Sequence, residues 1–94
     1  MKTLARRVTA KPTQPKRTPR FWLGVNLHSL RLKKGLTQEA LADAANISSR
    51  RLRDIENAVP ESNPQLNTIA ALAGALEVEV AAFFKHVDLS GLEV

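Results

Sequence analysis

Apolar residues recur along this chain at the three- and four-residue spacing of helices, and no alternation of strand type persists. Leu23, Leu27 and Leu30 share one face, and Gly35 supplies the left-handed residue that ends a first helix. Thr37 is placed to cap a second helix, with Leu36 and Leu41 as its hydrophobic staple. That helix runs to Ala44 or Ala45, where Asn46 offers a left-handed C-cap. Ser48 then caps a third helix that continues to about Asn57. Pro60 and Pro64 bracket a polar loop of Glu61, Ser62 and Asn63. Leu66, Ile69, Leu72, Ala73 and Leu76 predict the apolar stripe of a fourth helix, and Ala81, Ala82, Phe83 and Phe84 a short fifth. EVEVAAFF alternates only briefly, and residues 86 to 94 carry no pattern. The pattern predicts an all-α, compact five-helix domain.

Charge divides the chain before that domain begins. Residues 1 to 20 hold seven basic residues (Lys2, Arg6, Arg7, Lys11, Lys16, Arg17, Arg20) and no acidic one, whereas residues 21 to 94 sum to −2. Pro12, Pro15 and Pro19 interrupt the basic stretch, and Leu4 and Val8 are nearly all it offers a core. A disordered or extended basic arm over 1 to 20 is the expectation, followed by a domain over 21 to 85 and a tail over 86 to 94. A polycationic arm on a near-neutral body points to a polyanionic partner, most often nucleic acid. A solubilising tail, residues from an upstream start or a tag, and a transit peptide are the competing readings. Three prolines spoil the amphipathic helix that the last of these needs.

Several function classes lose ground on composition. There is no cysteine, so neither a disulfide framework nor a Cys-based zinc site is available. His28 and His86 stand far apart without an acidic cluster spaced for a metal, and no run approaches the ~18 apolar residues of a membrane span. Neither a glycine-rich phosphate loop nor carboxylates paired at acid/base spacing stand out. The reading is therefore a protein that is not an enzyme, with no metal, no cofactor and no membrane partner.

The third helix carries the chemistry. With Leu52 and Ile55 facing the core, 100° per residue turns Arg50, Arg53, Asp54 and Asn57 outward. Arg51 adds a third guanidinium to the outer surface, and Ser48 and Ser49 sit where free backbone N–H groups favour phosphate. Arginine is shaped to read guanine O6 and N7 bidentately, and Asp54, one turn after Arg50, could hold that guanidinium or accept from a cytosine amino group. The bland alternative is a solvated charged face with intrahelical ion pairs worth tenths of a kcal/mol. A capped, alanine-packed turn (Ala42, Ala44, Ala45, then Ile47) leads into the arginines, and that favours a helix-turn-helix.

The stretch LGVNLHSLRLKKGLTQEALADAANISSRRLRDIEN, followed by a P-x-L-x-x-I-A-x-L-A-x-A-L-x-V helix, resembles the phage-repressor helix-turn-helix family of the lambda-repressor-like, Cro/Xre type. The resemblance spans residues 23 to 84, about two-thirds of the chain. It implies a five-helix bundle whose second and third helices bind double-stranded DNA. By the same resemblance Gln38 contacts a phosphate, Ser49 and Arg50 read bases with Arg53 and Asp54 one turn on, and Asn57 meets the backbone. Arg31 and Glu56 fit the family's structural ion pair. Two positions depart from the family pattern: Ala58 and Glu77 stand where glycines are usual. A left-handed alanine or glutamate costs about 1 kcal/mol, so those turns are expected either to carry that strain or to relax.

The leading expectation is a sequence-specific, cytoplasmic and nucleoid-associated transcriptional regulator, a repressor or autoregulator that inserts helix 48–57 in the major groove. Ninety-four residues leave no room for a ligand-sensing domain, so regulation is expected from concentration or a protein partner. The alternative is an antitoxin that binds its own operator and neutralises a toxin. An RNA-binding adaptor would want stacking aromatics, and Phe21 and Trp22 are better placed to cover the end of the first helix. A homodimer on a twofold operator is expected through Phe83, Phe84, Val87, Leu89 and Leu92, unless the phenylalanines complete the core. The arm is expected to reach an adjacent minor groove through Arg6, Arg7, Arg17 and Arg20.

Overall fold

The computed structural model describes residues 17–88. Four α-helices, α1 (Pro19–Lys33), α2 (Gln38–Ala45), α3 (Ser49–Glu56) and α4 (Leu66–Leu76), are followed by a 3-10 helix (Val80–Phe84). No strand occurs among the described residues. The fifth helix expected from the sequence is therefore not an α-helix. Extended backbone at Glu79 and at Lys85 leaves a segment of only five residues, which takes the tighter 3-10 winding.

The first helix starts earlier than the charge pattern suggested. Pro19 occupies its first turn, where a missing N–H is harmless, and the Thr18 hydroxyl accepts from the Phe21 N–H at 3.2 Å. Pro19 and Arg20, assigned to the arm above, thus belong to α1. Caps of the same kind open α2, where Thr37 accepts from the Ala40 N–H, and α3, where Ser48 accepts from the Arg51 N–H.

All four α-helices end alike. A left-handed residue (Gly35, Asn46, Ala58, Glu77) follows each, and the next N–H reaches back five residues to a carbonyl. Leu36 thus bonds Arg31, Ile47 bonds Ala42, Val59 bonds Asp54 and Val78 bonds Ala73. The apolar residue so turned inward packs on the core at Leu36, Ile47 and Val78. Ala58 at φ 53° and Glu77 at φ 60° keep this geometry despite their side chains, so neither turn has relaxed.

The core centres on Leu23, Leu27, Leu41, Leu52, Ile55, Leu72 and Phe83, all without meaningful exposure. Helix α1 packs on α3 and on the 3-10 helix, while α2 packs on α3 and α4. Gly24 lets α1 approach α3 closely: a Cβ there would lie 2.7 Å from the Glu56 carbonyl oxygen and 2.9 Å from that of Ile55. Two apolar assignments change. Leu66, counted in the α4 stripe, is 68% exposed in the helix's first turn, which carries it away from the core. Phe83, offered as a dimer contact, is fully buried. The Asn26 amide anchors it there, since its Nδ2 lies 2.9 Å from the carbonyl oxygens of both Phe83 and Lys85 and 3.0 Å from that of Trp22. Beyond Lys85 the His86 ring stacks on Trp22, with centroids 4.5 Å apart.

Candidate nucleic-acid interface

Helix α3 is divided sharply between two faces. Leu52 and Ile55 are wholly buried, while Arg50, Arg53 and the following Asn57 are exposed. Ser49, Arg51 and Asp54 are half-buried at the margins, and Ser48 is exposed at the cap. Ser48, Arg50, Arg51 and Asp54 line a cleft against Val59, Glu61 and Ser62 of the following loop. Helix α3 is thus anchored by two core residues and presents an exposed guanidinium pair. That combination suits insertion between two rows of phosphates.

The base of α3 is fixed by a buried ionic cluster. The Arg31 Nε donates to Glu56 Oε2 at 2.7 Å and its Nη2 to Oε1 at 3.1 Å, a bidentate pair, while Nη1 donates to the Leu36 carbonyl at 2.8 Å. The two side chains are 8% and 2% exposed. Gln38, the first residue of α2, donates from Nε2 to Glu56 Oε1 at 3.0 Å, and His28 Nδ1 lies 3.1 Å from the same oxygen. Burial pushes the Glu56 carboxyl up, but the hydrogen bonds from Arg31, Gln38 and His28, together with the Arg31 charge, outweigh it and hold its pKa below the ordinary glutamate value. One carboxylate thereby ties α1, α2 and α3 together at the edge of the candidate interface.

The remaining sequence-derived residues are distributed as follows. Arg17 and Arg20 sit on the body rather than on an arm. The Arg17 guanidinium lies 5.5 Å from the Phe21 ring centroid and 5.8 Å from that of Trp22. Arg20 is half-buried in α1, beside a groove formed with Leu23, Pro64, Ile69 and Phe84. Arg6, Arg7, Leu89 and Leu92 lie outside the described residues. Gly24 and Asn26 were not singled out above, although both set the position of α1. No grouping of acidic residues and histidines that could hold a metal occurs among the described residues, and no helix there is long and apolar enough to cross a membrane.

Charge is also unevenly spread along the sequence of the body. Between Arg53 and Lys85 there is no lysine or arginine, while Asp54, Glu56, Glu61, Glu77 and Glu79 all fall in this stretch. Exposed cations stand at Arg17, at the end of α1 (Lys33, Lys34), on α3 (Arg50, Arg53) and at Lys85, and Lys34 pairs with Glu77 at 2.8 Å. The loop after α3 presents Glu61 and no cation.

Two capped helices, a left-handed turn at Asn46 and an outward arginine face define a helix-turn-helix unit. The chain belongs to the helix-turn-helix family of the Cro/Xre phage-repressor type: the family model described as Helix-turn-helix (HTH_3) matches residues 27–83. Over 60 residues it is 42% identical to the immunity repressor protein of Bacillus phage phi105, covering 64% of this chain and 40% of that protein's length. Among solved structures it is similar to the restriction-modification controller protein C.AhdI of Aeromonas hydrophila (TM-score 0.64, 32% identity, 69% of this chain and 96% of that one). It is also similar to the clp gene regulator ClgR of Corynebacterium glutamicum (TM-score 0.67, 30% identity, 73% of this chain and 71% of that one).

Proposed function

We propose that this chain is a sequence-specific DNA-binding transcriptional regulator of the repressor kind, which sets α3 in the major groove. The observation that carries this reading is the exposed Arg50–Arg53 face, backed by the wholly buried Leu52 and Ile55. Likeness to a phage immunity repressor and to two bacterial regulators supports it. In this reading Ser49 and Arg50 meet base edges, with Arg53 and Asp54 one turn on. Ser48, Gln38 and Asn57 meet phosphates, and Arg51 closes the cleft behind them. The acidic loop around Glu61 takes no phosphate, so added affinity comes from the five basic residues of 1 to 16.

A monomer reads about half a turn of groove, so we place two copies on twofold-related half-sites ~34 Å apart. With Phe83 committed to the core, the contact falls to half-buried Phe84 and exposed Val80 and Val87. Sedimentation on a full operator should give a 2:1 complex, and a strict 1:1 complex would end the dimer reading. The base-reading assignment is tested on DNA selected from a random pool. Arg50→Ala should cost ~1–3 kcal/mol on the selected site and relax preference at one position per half-site. Equal losses on selected and random DNA would reduce Arg50 to a phosphate contact.

A further inference from the structure

Glu56 Oε1 is approached by three nitrogens at nearly equal distances: Arg31 Nη2 at 3.1 Å, Gln38 Nε2 at 3.0 Å and His28 Nδ1 at 3.1 Å. A carboxylate oxygen has two lone pairs to offer. Arg31 and the Gln38 amide nitrogen can only donate, but an imidazole nitrogen can accept or donate according to its protonation. His28 Nδ1 also lies 3.2 Å from Arg31 Nη2. In the neutral ring with its proton on Nε2, Nδ1 accepts from Arg31 and Oε1 serves two donors; the neutral form with its proton on Nδ1 already presents a third. Protonation removes the accepting form altogether, so Nδ1–H is fixed as a third donor facing Oε1, and a second positive charge faces the Arg31 guanidinium.

We propose that protonation of His28 displaces Gln38 from Glu56, so that His28 is a pH-responsive positioning residue for the side chain that opens α2. Arg31 is not the one to leave, because Nε–Oε2 at 2.7 Å and Nη1 to the Leu36 carbonyl at 2.8 Å hold it independently. Gln38 is held by a single side-chain hydrogen bond among the described residues and sits half-exposed at the helix start. The charged groups around the ring are Arg31 and Lys33 from α1 and Glu56 from α3, with the neutral Asn57 beside the same groove and neutral Gln38 from α2. The His28 side chain is 53% exposed, so protons reach it without any opening of the fold. Histidine is also the side chain whose charge ordinarily changes near neutrality. The consequence for DNA rests on the function proposed above, in which Gln38 meets a phosphate.

The displacement is tested in the free protein by NMR, following the His28 ring and the Gln38 side-chain amide from about pH 8 to about pH 5.5. Glu56 stays ionised across that window, because its carboxyl titrates below the ordinary range. The Gln38 amide pair should shift with the midpoint of the His28 ring, and should stay fixed in His28→Gln, whose neutral side chain replaces a half-exposed one. A flat Gln38 pair in the unsubstituted protein would mean that the ring swings into solvent instead. An equal shift in His28→Gln would name a different titrating group. Either result overturns the proposal. The DNA consequence has its own readout: at about pH 8 Gln38→Ala should weaken binding about 2- to 10-fold, the loss of one hydrogen bond. Unchanged binding would strike the DNA role of Gln38, and with it any regulatory effect, whatever the titration gives.

Discussion

Replacing Gly24 with alanine sets two terms of opposite sign against each other. In the interior of a helix the change ordinarily stabilises by about 0.8–1 kcal/mol. Here the new Cβ would stand 2.7 Å from one backbone oxygen of α3 and 2.9 Å from another, where ordinary contact begins at 3.4 Å. The closest pair must therefore open by 3.4 − 2.7 = 0.7 Å. Neither oxygen is on a side chain that can rotate aside, so the last turn of α3 must move off α1. Overpacking costs ~1–3 kcal/mol, and a backbone obstacle puts this case at the upper end. The net loss is then ~2 kcal/mol, a fall in Tm of ~8–16 °C for a domain of this size. Gly74→Ala is the internal control. It lies within α4, where a Cβ meets nothing within 4 Å, so the propensity gain stands unopposed at ~0.5–1 kcal/mol. Thermal melts by circular dichroism should move in opposite directions for the two variants. A Gly24→Ala protein melting at or above the unsubstituted one would refute the close approach.

Four further outcomes are expected. Glu56→Ala leaves the Arg31 guanidinium buried without its partner and should cost ~3–5 kcal/mol, read by urea titration; a loss under 1 kcal/mol would mean the pair is solvated. Because the Glu56 pKa is lowered from 4.5, the unfolded chain holds that proton more tightly; its contribution is complete above the ordinary value and drains away as pH falls through the lowered one. Glu56→Gln should remove that part of the acid slope, and an identical slope would place the sensitivity elsewhere. Ala58→Gly relieves a left-handed alanine at φ 53° and should stabilise by ~0.5–1 kcal/mol, whereas a loss would show that the turn carries no strain. Deleting residues 2 to 16 should flatten the dependence of log affinity on log salt by ~0.9 per phosphate neutralised and weaken selected and random DNA alike. An unchanged slope would show that the segment does not touch DNA.

The features legible in the sequence were those whose causes are local. Thr37, Ser48 and Asn46 each act within one turn of their own position, so the bounds of α2 and α3 could be read to within a residue. Leu52 and Ile55 fixed the rotation of α3 because both burial and exposure follow from the same 100° step. Thr18 and Pro19 form an equally local start signal, but the surrounding positive charge masked it. At Ala58 and Glu77 the resemblance marked the turns but left open whether they relax, because neither residue type favours left-handed backbone; the apolar Val59 and Val78 that follow are the trace of the motif. Other features depend on a partner far away in the chain. An interior glycine such as Gly24 reads as a weak point until the α3 backbone is seen against it. Periodicity placed Leu66 with the stripe because it cannot tell that a helix's first turn overhangs its neighbour. The meeting of Gln38 and His28 on one Glu56 oxygen joins three helices, and no spacing along a single helix encodes it.

The exposed arginine face of α3 bears on kinetics. The body of residues 21 to 94 sums to −2, yet Arg50 and Arg53 stand exposed together on α3, so positive potential is concentrated on that face. Near a polyanion such a local patch is drawn in first, and the approaching molecule turns toward it. Encounters then begin with the arginine helix already facing the duplex, so fewer collisions are spent in the wrong orientation. The effect of this patch should therefore appear in the association rate, which falls as ionic strength rises, while dissociation is governed by the contacts made once α3 is seated.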